Sequence, residues 1–229
     1  MKNYCIIDTS NQKIVQKLKE YGYVCIPTEN SMDVSGPISL HADVLYLKTD
    51  NNSIYISECQ KNNFKLLKDI GYNVNPVKLS AGYKTECKLN MVITDDIVLC
   101  NHKTCMEIYK DLYNKKIIYT NQGYTKCSTV VIGNDNFITE DESIYNSLIN
   151  IGKNCLLIDK GQVRLDGYDY GFIGGASIYL PEKNTVLFFG DITTHTSYSK
   201  IDKFIKNCNK SLDYIDNMCL CDIGGGIIL

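Results

Sequence analysis

Residues 123–132 read Gly-Tyr-Thr-Lys-Cys-Ser-Thr-Val-Val-Ile, which places Cys127 directly before a β-branched strand. Four other stretches have a similar form, with a small or chemically active residue leading into an apolar strand. Their anchor residues are His41, Cys87, Gly174 and Gly224. The five anchors follow one another at intervals of 40 to 50 residues, and the interval from the last anchor through the C-terminus back to the first is of the same size. A repeat of this length over the whole chain predicts five copies of one structural unit arranged in a ring.

Each unit is predicted to contain a strand, a turn, a second strand, a helix and a third strand. The copy that follows Cys127 has strands at 129–132, 137–139 and 155–158 and a helix at 142–151. The other copies place strands at 44–47, 54–57 and 72–77 with a helix at 64–70; at 91–93, 97–100 and 116–119 with a helix at 104–113; and at 177–180 and 186–189 with a helix near 201–208. Glycines that follow several of these helices are typical helix ends.

The fifth unit is predicted to be divided between the two ends of the chain. Residues 4–7 read as a strand, and a helix and a strand at 23–26 follow it, but no first strand precedes them. The chain ends in a strand at 226–229 that has no partner of its own. We therefore expect the two terminal strands to pair and to close the ring, as terminal strands do in propellers.

Composition limits the classes of function. The chain has 229 residues, 44% of them hydrophobic and 22% charged, as expected for one globular domain spanning 1–229. The formal charge is −2 and no dense Lys/Arg run occurs, so neither nucleic acid nor an anionic membrane is expected as a partner. No apolar run is long enough to span a bilayer. A small-molecule substrate or ligand is the expected partner, and the oligomeric state stays open.

The chain contains 11 cysteines, an odd number, and its first residues lack the apolar core of a signal peptide. Most of these cysteines, such as Cys5, Cys25, Cys100 and Cys155, lie among apolar residues, which favours free buried thiols in a reducing cytoplasm. The pair Cys219 and Cys221 has no second Cys or His pair spaced to complete a metal site. We expect no metal and no cofactor.

Equivalent positions of a ring meet at its axis, so Cys127 and His41 are expected to converge there. A thiol beside an imidazole is the minimum for a nucleophile with an acid/base partner. In that role Cys127 would have a lowered pKa and would be partly ionised at neutral pH. The alternative is that both are packing residues, since a cysteine or a histidine beside a strand is more often structural.

The order and number of the units resemble the five-fold α/β propeller, or pentein, of the guanidino-group-modifying enzymes, among them dimethylarginine dimethylaminohydrolase, arginine deiminase and agmatine deiminase. The stretches Leu-His-Ala-Asp (40–43) and Thr-Lys-Cys-Ser (125–128) carry the likeness, two units apart and in a circularly permuted order. The resemblance implies an α/β fold of five ββαβ units, with Cys127 as the nucleophile and His41 as the proton carrier.

That family also takes two acids from a Glu-Gly-Gly-Asp stretch. Here the double glycines lie in Ile-Gly-Gly-Gly (223–226) and Ile-Gly-Gly-Ala (173–176), which carry no acid. The candidates to replace these acids in substrate binding are Asp43, Glu86, Glu182 and Asp222. Arg164 is the candidate to bind a substrate carboxylate through its guanidinium group. In the Thr/Ser-rich insertion at 190–198, His195 is expected to be a solvated loop residue, or part of a lid over the site.

Two functional classes follow. The first is a thiol-dependent hydrolase or transferase that acts on a guanidine, amidine or amide carbon, with Cys127 and His41 as catalytic residues. The second is an inactive pentein that binds a small molecule or a protein without chemistry. An acid touching His41 would favour the enzyme, whereas an apolar and acid-free mouth would favour the binding protein.

Overall fold

The computed structural model of the protein describes residues 3–49, 52–104, 112 and 114–229. Within this part of the chain the strands form five three-stranded sheets. In each sheet the middle strand pairs antiparallel with one neighbour and parallel with the other. A parallel pair needs a crossover connection, and the helix of the unit supplies it where the connection is described. The predicted arrangement of five ββαβ units is confirmed.

The elements follow the predicted order along the chain. The unit shared by the two ends contains β1 (Asn3–Ile7), α1 (Gln12–Glu20) and β2 (Tyr23–Pro27). The second unit contains α2 (Ala42–Leu45), β3 (Tyr46–Lys48), β4 (Ser53–Ser57), α3 (Lys61–Asp69) and β5 (Asn73–Val77). The third contains α4 (Tyr83–Glu86), β6 (Val92–Ile93), β7 (Ile97–Cys100) and β8 (Lys116–Tyr119). The helix predicted at 104–113 falls mostly on residues outside those described.

The remaining units complete the chain. The fourth contains β9 (Thr129–Ile132), β10 (Asn136–Thr139), α5 (Glu142–Ile149) and β11 (Asn154–Leu157). The last undivided unit contains β12 (Ser177–Leu180), β13 (Thr185–Phe188), α6 (Tyr198–Asn207) and β14 (Ser211–Tyr214). The final strand is β15 (Ile227–Ile228).

Helix α1 shows how local sequence sets a unit. The side chain of Asn11 accepts a hydrogen bond from the backbone of Lys13 and caps the first turn. Ile14 and Leu18, one turn apart, are fully buried against the neighbouring strands. The chain then turns into β2 at Gly22, whose φ of +87° is a conformation that glycine adopts without strain. The predicted helix and its stop signal are confirmed.

The terminal strands pair as the sequence predicts. β15 runs antiparallel to β1, with Cys5 opposite Ile228 and Ile6 opposite Ile227. The backbone N–H of Leu229 donates to the carbonyl of Tyr4 over 3.0 Å. The first and last residues of the described chain are thereby joined in one sheet.

Two details of the inner strands differ from the prediction. The strand predicted at 44–47 begins later, because residues 42–45 form the helical turn α2, in which the backbone N–H of Asp43 donates to the carbonyl of Gly224 over 3.0 Å. Cys87 likewise follows the helical turn α4 and does not head a strand. Both inner strands are therefore preceded by a compact turn at the axis.

The core consists of apolar side chains packed between the sheets and their helices. Cys5, Cys100 and Cys155 are buried in it, as the sequence predicts, whereas Cys25 is only partly buried, and none of the ten described cysteines forms a disulfide. In the part of the chain that the structure describes, no helix has both the length and the apolar character needed to cross a bilayer.

Deleting residues 225–229 is expected to lower the free energy of unfolding by about 3 kcal/mol, because two partly buried isoleucines and the strand partner of β1 are lost. For a chain of this size the loss corresponds to a melting temperature about 6–12 °C lower. Thermal unfolding followed by circular dichroism measures it. A truncated chain with an unchanged melting curve would show that β15 is a dispensable tail.

Candidate active site

Cys127 and His41 line one cavity of about 310 Å³, together with Asp222. One ligand atom from each of Cys127, His41 and Asp43 lies within 4.8 Å of the others. All of these side chains are almost fully buried. The structure thus brings the proposed nucleophile, the proposed proton carrier and two carboxylates together at the axis of the ring.

The turn at 124–128 fixes the position of the thiol. The amide of Asn90 holds it, since Nδ2 donates to Cys127 Sγ over 3.0 Å while Oδ1 accepts from the backbone of Lys126 over 2.7 Å and of Cys127 over 3.2 Å. The same Nδ2 also donates to the carbonyl of Asp43 over 2.9 Å. Asn90 is not among the residues predicted from the sequence. The residue considered in this unit was Cys87, which is buried beside Tyr124.

His41 lies at the N-terminal end of α2, with its Nδ1 3.7 Å from Oδ1 of Asp222. The distance is too long for a hydrogen bond, and Nδ1 has no hydrogen-bond partner, so the contact is an ion pair only when His41 is protonated. Asp222 is fixed independently, because its Oδ2 accepts from the backbone of Phe172 over 2.8 Å and its Oδ1 from Gly224 over 2.9 Å. Burial raises the pKa of Asp222, nearby Asp43 adds to the rise, and His41 opposes it.

The double glycines make room for this pair. A Cβ on Gly175 would overlap the carboxylate of Asp222, and one on Gly224 would overlap His41. Gly224 also has a φ of +76°, which favours glycine. The two glycine stretches carry no acid themselves. Their lack of side chains leaves room for the carboxylate of Asp222, which lies just before the second stretch. Carboxylates at the axis come from Asp43 and Asp222.

The expected lowering of the Cys127 pKa is wrong for this site. Burial raises the pKa of the thiol well above its usual range, and the carboxylates of Asp43 and Asp222 raise it further. The hydrogen bond from Asn90 favours the thiolate but is outweighed. The sequence predicted an imidazole near the thiol. It did not indicate how close the carboxylates of Asp43 and Asp222 lie to the thiol, whose pKa they raise.

We therefore expect Cys127 to be alkylated slowly by iodoacetamide at neutral pH, more slowly than the exposed Cys219, and to react faster only as the pH rises above that of an ordinary thiol, near 8.5. A protonated thiol is a poor nucleophile, which is the reason for the delay. Pulsed labelling of the native protein, read for each site by mass spectrometry, measures the order. Labelling of Cys127 before Cys219 at neutral pH would show that the pKa of Cys127 is lowered, as the sequence predicted.

Aromatic side chains form the mouth of the cavity. Tyr124 packs against Tyr83 with ring centroids 5.8 Å apart, and Phe172 lies 6.3 Å from Tyr124. Tyr168 and Tyr170 continue the rim and are partly exposed to solvent. The mouth is thus mainly aromatic but also contains the exposed Asp169, and Asp222 is the buried acid that lines the cavity.

Glu86 lies behind this rim and does not line the cavity. Its carboxylate accepts from the hydroxyl of Tyr124 and, through the other oxygen, from the backbone and hydroxyl of Ser35. Burial acts to raise the pKa of Glu86, but these hydrogen bonds outweigh it and lower the pKa. Glu86 is therefore an ionised brace for Tyr124 in the structure.

Two other predicted binding residues are not brought to the cavity of Cys127. Glu182 is exposed on the 3-10 turn Pro181–Lys183. Arg164 is exposed and paired with Asp166, whose Oδ1 lies 2.8 Å from its Nε. Arg164 nevertheless lines a neighbouring cavity together with His41 and Asp222, so its loop lies beside the candidate site.

His195 corrects a further expectation. It is only 3% exposed, so the prediction of a solvated loop residue is wrong. Its Nδ1 accepts from the backbone of Ser197 over 3.0 Å, and burial lowers its pKa. The insertion folds back on the protein and buries its histidine.

Thiolate, imidazole and carboxylate are also ligands of Zn²⁺. Across the described ranges, Cys127, His41 and Asp43 form the group of three that could hold a metal ion. The expectation of a metal-free protein remains a prediction.

Five three-stranded sheets of this topology form the pentein fold that the resemblance predicts. Solved structures share this fold over most of the chain. DDAH from Pseudomonas aeruginosa, complexed with citrulline, has a TM-score of 0.61 and 11% identity over 99% of this chain and 96% of that one. Agmatine deiminase from C. jejuni with substrate bound has a TM-score of 0.58 and 11% identity over 93% and 87%. An amidinotransferase of saxitoxin biosynthesis from Microseira wollei has a TM-score of 0.58 and 11% identity over 90% and 76%.

The chain belongs to DUF6873, a family of unknown function whose profile matches residues 6–228. No curated protein matches the sequence. At 10–12% identity the solved structures show the fold alone and give no evidence on the chemistry of this chain.

Proposed function

We propose that the protein is a thiol-dependent hydrolase or transferase that acts on a guanidine or amidine carbon, or on a related amide carbon. The observation that carries the proposal is the carboxylate of Asp222 beside the imidazole of His41, 3.7 Å away, in the cavity that also contains the thiol of Cys127. An acid close to the base, in the same cavity as a thiol, is the set of groups that nucleophilic catalysis requires.

The electrostatics favour a cationic substrate. Neither carboxylate oxygen of Asp43 accepts a hydrogen bond from an N–H or O–H group, although the side chain is almost fully buried, and the thiol of Cys127 lies beside it. Asp222 lines the cavity of Cys127, whereas Asp43 lies outside its lining, with one oxygen within 4.8 Å of Sγ. A guanidinium or amidinium group would supply the opposite charge and the N–H donors that these buried oxygens lack. Its charge would also lower the pKa of Cys127, so that the thiol ionises when substrate is present.

The reaction then runs in two halves. In the first, His41 accepts the thiol proton, Cys127 Sγ attacks the central carbon, and the C–N bond to the leaving amine breaks as His41 returns the proton to that amine. In the second, water gives a proton to His41 and its oxygen attacks the same carbon. The C–S bond breaks and the thiol recovers the proton. An amine in place of water would make the protein a transferase.

The test combines amine release with trapping of the covalent intermediate. The protein is incubated with simple alkylguanidines and amidines, released amine is measured, and acid-quenched protein is analysed by intact mass and peptide mapping. We expect product from the wild type, an adduct on Cys127, and a loss of about 1,000-fold or more in Cys127→Ser. His41→Ala is expected to lose at least about 100-fold.

An inactive binding protein is the second candidate, and the burial and raised pKa of Cys127 favour it. The same experiment separates the two. Guanidines that bind in calorimetry but yield neither amine nor adduct would establish the binding protein and overturn the enzyme.

A further inference from the structure

The mouth of the Cys127 cavity is built from aromatic side chains that the proposed reaction does not use. They are Tyr83, Tyr124, Tyr168, Tyr170 and Phe172. Four of the rings form a continuous row, with centroids 5.8 Å apart for Tyr83 and Tyr124, 6.3 Å for Tyr124 and Phe172, and 6.2 Å for Phe172 and Tyr170. The angles between their planes are 68°, 35° and 89°. Edge-to-face and tilted contacts of this kind can be extended by one further ring.

Three of these rings are exposed to solvent to an unusual degree. The exposed fraction is 48% for Tyr83, 46% for Tyr168 and 37% for Tyr170. Single exposed apolar side chains are common on protein surfaces, whereas a group of them around one cavity marks a binding site. The mouth therefore offers aromatic surface that a ligand would cover.

Two of the rings are held in place through their hydroxyl groups. The hydroxyl of Tyr124 donates to Glu86, and that of Tyr83 accepts from the backbone N–H of Gly123 over 2.8 Å. A Cβ on Gly123 would lie 2.6 Å from Cζ of Tyr83, so the ring occupies space that the glycine leaves open. Rings that are fixed before a ligand binds lose little conformational freedom on binding, which favours affinity.

The charged groups around the cavity lie apart from this aromatic row. Asp222 is buried in the cavity beside His41, whereas Asp169 at the mouth is exposed and is screened by solvent. A third cavity, of about 720 Å³, shares His41, Leu165 and Asp222 with the first and contains Arg164. A ligand with a carboxylate could therefore turn toward Arg164 and away from the rings, so a carboxylate compound belongs in the test.

We propose that the aromatic mouth is a binding subsite for an aryl group. Together with the proposed function, on which this part rests, it assigns the substrate class: a guanidine or amidine that carries an aromatic ring on a short linker. The acids near the thiol would pair with the cation while the tyrosines and Phe172 contact the ring. The cavity volume of about 310 Å³ is at the lower end of the range for small-molecule sites, which suits a compact ligand.

Four guanidines test the subsite. Benzylguanidine carries an aryl ring, cyclohexylmethylguanidine a saturated ring of similar size, butylguanidine an open chain and 4-guanidinobutanoate a carboxylate. Binding is measured by calorimetry and kcat/KM by amine release. The proteins are the wild type, the double variant Tyr168→Leu/Tyr170→Leu and the control Tyr119→Leu, whose tyrosine is 54% exposed and does not line the cavity.

We expect benzylguanidine to be preferred over cyclohexylmethylguanidine by about fivefold or more, because contacts between aromatic rings add to the affinity that apolar area supplies. Butylguanidine, with less apolar area, should be weaker than both. In the double variant the ratio of benzyl to cyclohexylmethyl should fall to about twofold, whereas Tyr119→Leu should keep the full ratio.

Binding and turnover together separate the subsite from the reaction. A benzyl preference in binding that the double variant loses, without amine release from any of the four compounds, would leave the subsite standing and remove the proposed reaction. Amine release with equal kcat/KM for benzylguanidine and cyclohexylmethylguanidine would leave the reaction standing and overturn the subsite. A preference for 4-guanidinobutanoate over benzylguanidine would also overturn it and would indicate that Arg164 binds the tail. If the double variant does not fold, the ratio of benzyl to cyclohexylmethyl on the wild type decides alone.

Discussion

Replacing Gly174 with alanine is expected to lower the free energy of unfolding by about 3 kcal/mol, because overpacking of this kind forces the backbone to move. A Cβ at this position would lie 2.5 Å from the carbonyl oxygens of Lys126 and Thr129 and 2.6 Å from that of Cys127. Backbone carbonyls cannot rotate away as a side chain could. The melting temperature should fall by about 6–12 °C in a chain of this length.

The same substitution should also reduce turnover, since the carbonyl of Cys127 is among the displaced atoms and also accepts from the backbone of Gly175 over 2.8 Å. Gly36→Ala is the matched control, because a Cβ there meets nothing within 4 Å. Thermal unfolding and amine release measured on both variants give the comparison. Equal melting temperatures for the two variants would show that the turn before β9 is not packed as described.

Replacing Asp222 with asparagine is expected to lower kcat/KM by about 100-fold, the size of effect seen when an acid/base partner is disabled. Asp222 accepts backbone hydrogen bonds through both oxygens. An asparagine can accept through only one atom and turns its NH₂ group toward the other donor. The imidazole of His41 would lose its carboxylate, and a cationic substrate would lose one of its two buried acids.

Stability should change by only about 1 kcal/mol in Asp222→Asn, because the lost hydrogen bond is offset by removal of a buried charge whose pKa is raised. Asp216→Asn, at an exposed position, is the control for loss of one carboxylate. Steady-state kinetics together with unfolding curves distinguish the two effects. Full activity in Asp222→Asn would reduce Asp222 to a support for the segment at 171–175.

The candidate site could be predicted only in part. Cys127 and His41 were identifiable because both precede inner strands of equivalent units, and a ring brings equivalent positions together. Asn90 carried no such signal, since an asparagine in a turn is a common surface residue. Its role follows from its contact with the thiol of Cys127.

The amino-acid sequence by itself determined the five-fold order of strands and helices, the stop signals at residues such as Gly22, and the pairing of the two ends of the chain. The first two depend on local periodicity, capping and backbone freedom, which a short stretch of chain encodes, and the third follows from the incomplete units at the two ends of the repeat. Only the tertiary structure decided that Asp43 and Asp222 supply the carboxylates, and that the pKa of Cys127 is raised. Charge and burial act through space between residues far apart in the sequence, so the chemistry of the cavity is set by which loops the fold brings into contact.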